Sequence, residues 1–285
     1  MNQTEKIELK KARDFGAIIN DTFAFLRQNV ALLFKAILII TGPIIPIQGI
    51  LLGLHSADTV SMNLNSEMGG AFAGIFTLRY LLIIMFGILS YTFITLIAYE
   101  LVVLYPEKNV GAITFDDLWK AIRRDFWMIV FTSVGSFFVL FFSIILLIIP
   151  GIYFAVVVTM VPIIRIQERN SFFEALRRSM RLMKGNWWFT FGLVFLLSII
   201  MGAAGWIFGL PNFILTFTAV FHKADMTGSF YRVLFIIAGV IYQFSSFLSV
   251  IILVGIALQY YSLVEKKEGA GLLRKIEDIG RKNEG

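Results

Sequence analysis

The chain has 285 residues, of which 58% are hydrophobic and only 15% charged, with a mean hydropathy of +0.81. A soluble domain carries about 25% charged residues, so this composition excludes an ordinary soluble fold and sends much of the surface to lipid. There is no cysteine, which excludes disulfides, thiolate metal sites and cysteine nucleophiles. The two histidines, His55 and His222, are too few and too isolated for a histidine metal site. The net charge of +6 is not spread evenly, so it points to a membrane surface rather than to nucleic acid.

Residues 1–13 are polar and are not followed by a short apolar stretch with a cleavage site, so the N-terminus is expected to be retained and cytoplasmic. Asp14 to Asn29 places Phe15, Ile18, Ile19, Phe23 and Leu26 on one helical face. A first crossing is expected over about 30–54, interrupted by Pro43 and Pro46, each of which lacks a backbone donor. His55 to Ala73 reads as a polar loop. The second crossing is expected over 78–104 and carries Glu100 near its end. A second amphipathic segment follows, with Phe115, Leu118, Trp119, Ile122 and Phe126 in helical register and Thr114 with Asp117 as a capping pair.

Phe126 to Ile164 is uncharged but too long for one crossing. It divides into crossings over 126–149 and 151–166, with a tight turn at Pro150-Gly151. Ser171 to Trp188 is the third amphipathic segment. Ser171 and Glu174 form a capping box, and Arg177, Arg181 and Lys184 share its polar face. The fifth crossing is expected over 187–209, with Gly202, Ala203, Ala204 and Gly205 as a small-residue packing face. After Pro211, NFILTFTAVF is too short to span and is expected to be re-entrant or interfacial. The sixth crossing, about 233–262, exceeds what the bilayer needs. The tail, 265–285, is basic and includes a short helix near Leu272, Leu273, Ile276 and Ile279.

The 25 Lys and Arg residues fall almost entirely in the N-terminal segment, the two later amphipathic segments and the tail. The exceptions are Lys223 and Arg232 in alternate loops and Lys35 and Arg79 near helix ends. The positive-inside rule then predicts a membrane domain, 14–264, with six crossings and both termini cytoplasmic. The fold class expected is all-α integral membrane, with three cytoplasmic interfacial helices. Asp14–Asn29 and Ser171–Asn186 align without a gap, and Phe115 opens the middle segment as Phe15 and Phe172 open the others. That predicts a threefold internal repeat of interfacial helix plus helical hairpin.

Several of these residues carry a family likeness. Pro150 with Gly151, Pro162 with Glu168, the run Ala175, Leu176, Ser179 and Leu182, the closing Gly185, and the ending Tyr260, Tyr261, Glu268 and Gly269 resemble two related groups. One is the membrane domain attached to some glycerophosphodiester phosphodiesterases; the other is the stand-alone YciC-like bacterial membrane proteins. The second half of the chain carries the likeness well, the first half by layout alone. The resemblance implies a bacterial inner-membrane location and no settled molecular role. Nothing in the chain supplies the soluble phosphodiesterase barrel, so that activity is not carried over.

Three candidate sites remain. Glu100 is an acid within a crossing helix, a functional candidate by default, and Arg165 is placed to pair with it. Pro43, Pro46, Gln48 and Gln243 are the candidates for a cavity at a broken helix. Arg177, Arg181 and Lys184 form a candidate face for anionic lipid headgroups. No cofactor, metal or catalytic group is expected. The function expected is a non-enzymatic scaffold or accessory component contacting the bilayer, anionic lipid or a membrane-protein partner. The alternative is a transporter or channel for a small or lipid-like solute.

Overall fold

A computed structural model describes residues 6–65, 77–107, 111–146, 148–222 and 228–269. Every element among them is helical: α1 (Phe15–Thr41), α2 (Ile44–Asn65), α3 (Leu78–Leu104), α4 (Phe115–Leu146), α5 (Ile148–Thr159), α6 (Val161–Glu168), α7 (Phe172–Met183), α8 (Trp187–His222), α9 (Ser229–Gln243), a 3-10 segment (Phe244–Leu248) and α10 (Ser249–Glu268). Six helical stretches are long and apolar enough to cross a membrane: Phe15–Thr41, Leu78–Leu104, Phe115–Ile145, Ile149–Glu168, Trp187–Ala219 and Ser229–Glu268. The most apolar stretch of Trp187–Ala219 is only 11% buried by protein. A water-soluble fold would place such a stretch in its core. The expected tail helix lies outside the described residues.

Proline positions explain most of the boundaries. Pro46 and Pro150 each occupy the third position of their helix, and Pro162 the second. First-turn amides have no intrahelical acceptor, so proline costs no hydrogen bond there. Consequently the first expected crossing ends at Thr41, and α2 begins anew after Gly42-Pro43. The expected turn is not at Pro150-Gly151: this dipeptide lies in the opening turn of α5, which starts at Ile148. The fourth crossing is itself broken at Met160, ahead of Pro162. By contrast Pro211 lies inside α8, which runs unbroken from Trp187 to His222, so NFILTFTAVF continues the fifth helix and is not a separate re-entrant segment. His55–Asn65 is likewise helical and not a loop.

Two of the three amphipathic segments are not separate helices. Asp14 Oδ1 caps α1 by accepting the Ala17 amide at 2.7 Å, and Thr114 and Asp117 exchange bonds at the start of α4. Both helices then run on into apolar sequence. Ser171 and Glu174 form the full capping box of α7, yet α7 stops at Met183. Gly185, at φ +82°, is the reason. Glycine takes up the left-handed conformation that ends helices, and the corresponding positions of α1 and α4 are Gln28 and Met128, which continue the helix.

The chain divides into two compact units, one of Met1–Phe34, Thr95–Ser198 and Val250–Gly285, the other of Lys35–Ile94 and Ile199–Ser249. In the first unit α1, α4 and α7 bury the same register. Counting from the cap, Ile18, Leu118 and Ala175 are fully buried, as are Thr22, Ile122 and Ser179, then Phe25, Asp125 and Leu182. The α1 stripe thus runs through Thr22 and Asn29 rather than Phe23 and Leu26. Those polar side chains return their bonds to their own helix, Thr22 to Ile18 O at 2.7 Å and Asn29 to Phe25 O at 2.9 Å, which removes the cost of burying them. In the second unit α2 and α9 meet backbone to backbone. A Cβ on Gly53 would lie 2.3 Å from Phe235 O, and one on Gly239 2.3 Å from Gly49 O. This Gly-x-x-x-Gly contact is the close small-residue packing that was expected at Gly202–Gly205, whereas Gly202 meets nothing within 4 Å.

Candidate functional site

α7 has one face built into the first unit and one left open. Ala175, Leu176, Ser179, Leu182 and Met183 are buried. Ser179 Oγ donates to Val157 O of α5 at 2.7 Å, tying the two elements together. Arg178 donates to Glu168 of α6 at 3.0 Å and pairs in two-pronged fashion with Glu268 of α10. The Glu268 carboxylate holds the Arg178 guanidinium above its ordinary pKa, so this charge is locked. Glu168 also accepts from Tyr260 at 2.9 Å and Asn170 at 3.0 Å. At the C-terminal end of α7, Lys267 donates to the Arg181 and Lys184 carbonyls at 2.7 Å each, answering the negative end of the helix. The open face carries exposed Phe173, Arg177, Arg181 and Lys184, with Trp188 just beyond.

Several of the residues behind the family likeness gather at this junction. Glu168, Ser179 and Tyr260 are the bonded contacts just described, Gly185 ends α7, and Pro162 opens α6. Pro150 and Gly151 start α5, where a Gly151 Cβ would meet Ile144 at 3.0 Å.

Glu100 is fully buried, but its partner is not Arg165. Glu100 Oε2 lies 3.5 Å from Arg124, which is also 3.1 Å from Asp125. Asp125 pairs with Arg169 as well. Arg165 turns the other way: it donates to Met128 O at 2.9 Å, Thr132 Oγ1 at 2.6 Å and Asn170 O at 3.2 Å. The expected Glu100–Arg165 pair is replaced by a Glu100–Arg124–Asp125–Arg169 chain because Asp125, one turn after Ile122, lies on the buried stripe of α4. Arg169 reaches it from a left-handed conformation at φ +58°, which costs a non-glycine residue about 1–3 kcal/mol. Glu100 Oε1 has no hydrogen-bond partner among the described residues.

In the second unit, Gln48 and Gln243 are both buried, and Gln243 Nε2 donates to Gln48 Oε1 at 2.6 Å. Pro43 and Pro46 sit at the α1–α2 boundary and the first turn of α2. The Gly42 amide there is bonded to Leu38 O at 3.0 Å, so that carbonyl is not left bare. His55 packs beside Tyr80, ring centroids 5.4 Å apart. No group of three or more His, Asp or Glu able to hold a metal occurs among the described residues.

A groove of about 620 Å³ lies in the first unit between α4, α5 and α7. Phe131, Phe138, Phe142, Phe154, Phe172 and Phe173 line it. No family model, no characterised protein and no solved structure matches the chain. What the chain can do must be read from its own residues. Two of these were not evident from sequence: Asp125, next to Arg123 and Arg124, reads as part of a solvated charge cluster, and Arg13 reads as one of several basic residues near the N-terminus. Arg13 is 3% exposed. It pairs with Asp21 at 2.8 Å, donates to Leu9 O at 2.8 Å, and its amide donates to Ser262 Oγ at 2.9 Å, fastening the N-terminal segment to α10. Only the periodicity of burial, with Asp125 in the position of Phe25 and Leu182, could have found the first.

Proposed function

We propose that the chain is a bacterial inner-membrane protein of the YciC-like kind, with both termini cytoplasmic, that serves as a non-enzymatic scaffold or accessory component. The observation that carries this reading is the two-sidedness of α7. Its inner face is committed to α5, α6 and α10 through buried side chains and ion pairs. Its outer face offers exposed Phe173 together with Arg177, Arg181 and Lys184, whose side chains make no hydrogen bond or ion pair among the described residues. At a cytoplasmic bilayer surface each of those basic residues is attracted by about 1 kcal/mol, and Trp187 and Trp188 suit the headgroup level. The shared cap and burial register of α1, α4 and α7 supports three repeated units with their amphipathic starts at that same surface.

The transport reading needed Gln48 and Gln243 to face a wet cavity. Their mutual bond and burial favour a structural role instead. The accessory reading is tested by placing a photo-crosslinking residue at Arg177 or Phe173 in cells and, as a control, at Trp206. A protein captured in fixed stoichiometry from the α7 positions and not from Trp206 is the expected result. Capture at neither α7 position would end this reading.

A further inference from the structure

Near one end of the Phe-lined groove, though not among the residues that line it, lies Arg165, a cation that no carboxylate among the described residues neutralises. Arg165 is half-buried, and its three bonds go to neutral acceptors: Met128 O, Thr132 Oγ1 and Asn170 O. Its Nη2 makes no hydrogen bond among the described residues, and no carboxylate there pairs with it. Arg13, Arg124, Arg169 and Arg178, by contrast, each face one. A guanidinium withdrawn from water without a counter-charge is costly unless an anion joins it.

The bonds of Arg165 also fix where it sits. Met128 and Thr132 flank Phe131, the first α4 residue of the groove, and Asn170 precedes Phe172 and Phe173, which line it from α7. From Phe131 the groove follows α4 to Ser143, about 18 Å of helix, close to the depth of one leaflet, about 15 Å of hydrocarbon. Gly135 lets the Phe172 ring approach, since a Cβ there would lie 3.0 Å from it. The nearby Glu174 carboxylate is engaged by the Ser171 amide and hydroxyl at 2.9 and 2.7 Å, and Arg177 stands on the next turn.

We infer that this groove holds one anionic phospholipid of the cytoplasmic leaflet, with its phosphodiester at Arg165 and one acyl chain along Phe131–Ser143. The inference rests on the membrane reading above and gives the lipid contact a specific place. The apolar length and the unpaired charge at its end match such a lipid in both parts.

The test is mass spectrometry of the intact full-length protein, taken from vesicles of equal phosphatidylglycerol and phosphatidylcholine. One phosphatidylglycerol per chain is expected, favoured by about tenfold, the scale of a hydrogen bond to a charged group. Arg165→Gln should abolish that preference. Val139→Trp, which fills the groove without touching Arg165, should remove retained lipid of both kinds. Equal retention of the two lipids by the unaltered protein would overturn the inference, as would wild-type retention by Val139→Trp, which stays informative if Arg165→Gln does not fold. Crosslinking at Arg177 separates the two ideas: a lost lipid preference with an intact protein partner removes the lipid site alone.

Discussion

At the residue scale, the acid that matters most for stability is Asp125, not Glu100. Asp125 binds two guanidiniums and is 2% exposed, whereas Glu100 makes one ion pair among the described residues, with Arg124 at 3.5 Å. Removing one partner of a buried ion pair costs about 3–5 kcal/mol. Asp125→Asn should therefore lower stability by about 3 kcal/mol and Glu100→Gln by less than half of that, measured as thermal unfolding in one detergent; the reverse order would refute the assignment. Ser171 offers a gentler test. Its hydroxyl and amide hold the Glu174 carboxyl below the usual pKa. A carboxyl lowered in the folded state stabilises above its ordinary value and loses that contribution as the pH falls. The box should thus be fully formed above 4.5 and weaken below it. Ser171→Ala should cost about 1 kcal/mol at neutral pH and remove this acid dependence of α7 stability, read from amide exchange.

At the element scale, glycine and proline divide the helices. Substituting Gly53 or Gly239 by leucine drives a side chain into the facing backbone, where even a Cβ would stand 2.3 Å from a carbonyl oxygen. A loss of about 1–3 kcal/mol is expected from such overpacking. Gly202→Ala meets no neighbour and should be neutral or stabilise by up to about 1 kcal/mol through chain entropy alone. Unfolding of the three variants side by side decides the matter, and equal effects would contradict the α2–α9 contact. Gly185→Ala should instead favour extension of α7 toward α8. The sequence placed a turn at Pro150-Gly151, which instead lies inside α5, because a proline says only that a helix breaks nearby. Whether it falls before the helix or in its first turn depends on where the orphan amides lie.

At the scale of the whole molecule, six apolar helical stretches and the distribution of charge describe a protein made for a bilayer. Arg79 and Arg232, which lie away from the basic clusters, both pair with Asp58 in the second unit, so one carboxylate offsets part of their charge. This agrees with the proposed orientation, and the lack of cysteine makes it directly testable. Single cysteines at Thr77 and Ser229 should react with an impermeant maleimide added outside intact cells, and ones at Ala112 and Ser171 should react only after lysis. The opposite pattern would reverse the topology.

The amino-acid sequence by itself determined the membrane character and the number of long apolar stretches, because hydropathy is a property of contiguous residues, but it misplaced the first, expected over about 30–54 and found over Phe15–Thr41. It also placed two caps, Thr114 with Asp117 and Ser171 with Glu174, since capping depends on side chains three residues apart. Tertiary structure alone decided which partner each buried polar group takes. Glu100 faces Arg124, Arg165 is left with neutral acceptors, and Gln48 meets Gln243, because the geometry that selects among partners arises from helices distant in the chain. The close contact of Gly49 and Gly53 with Gly239 belongs to the same class: a glycine shows its purpose only when another backbone lies against it.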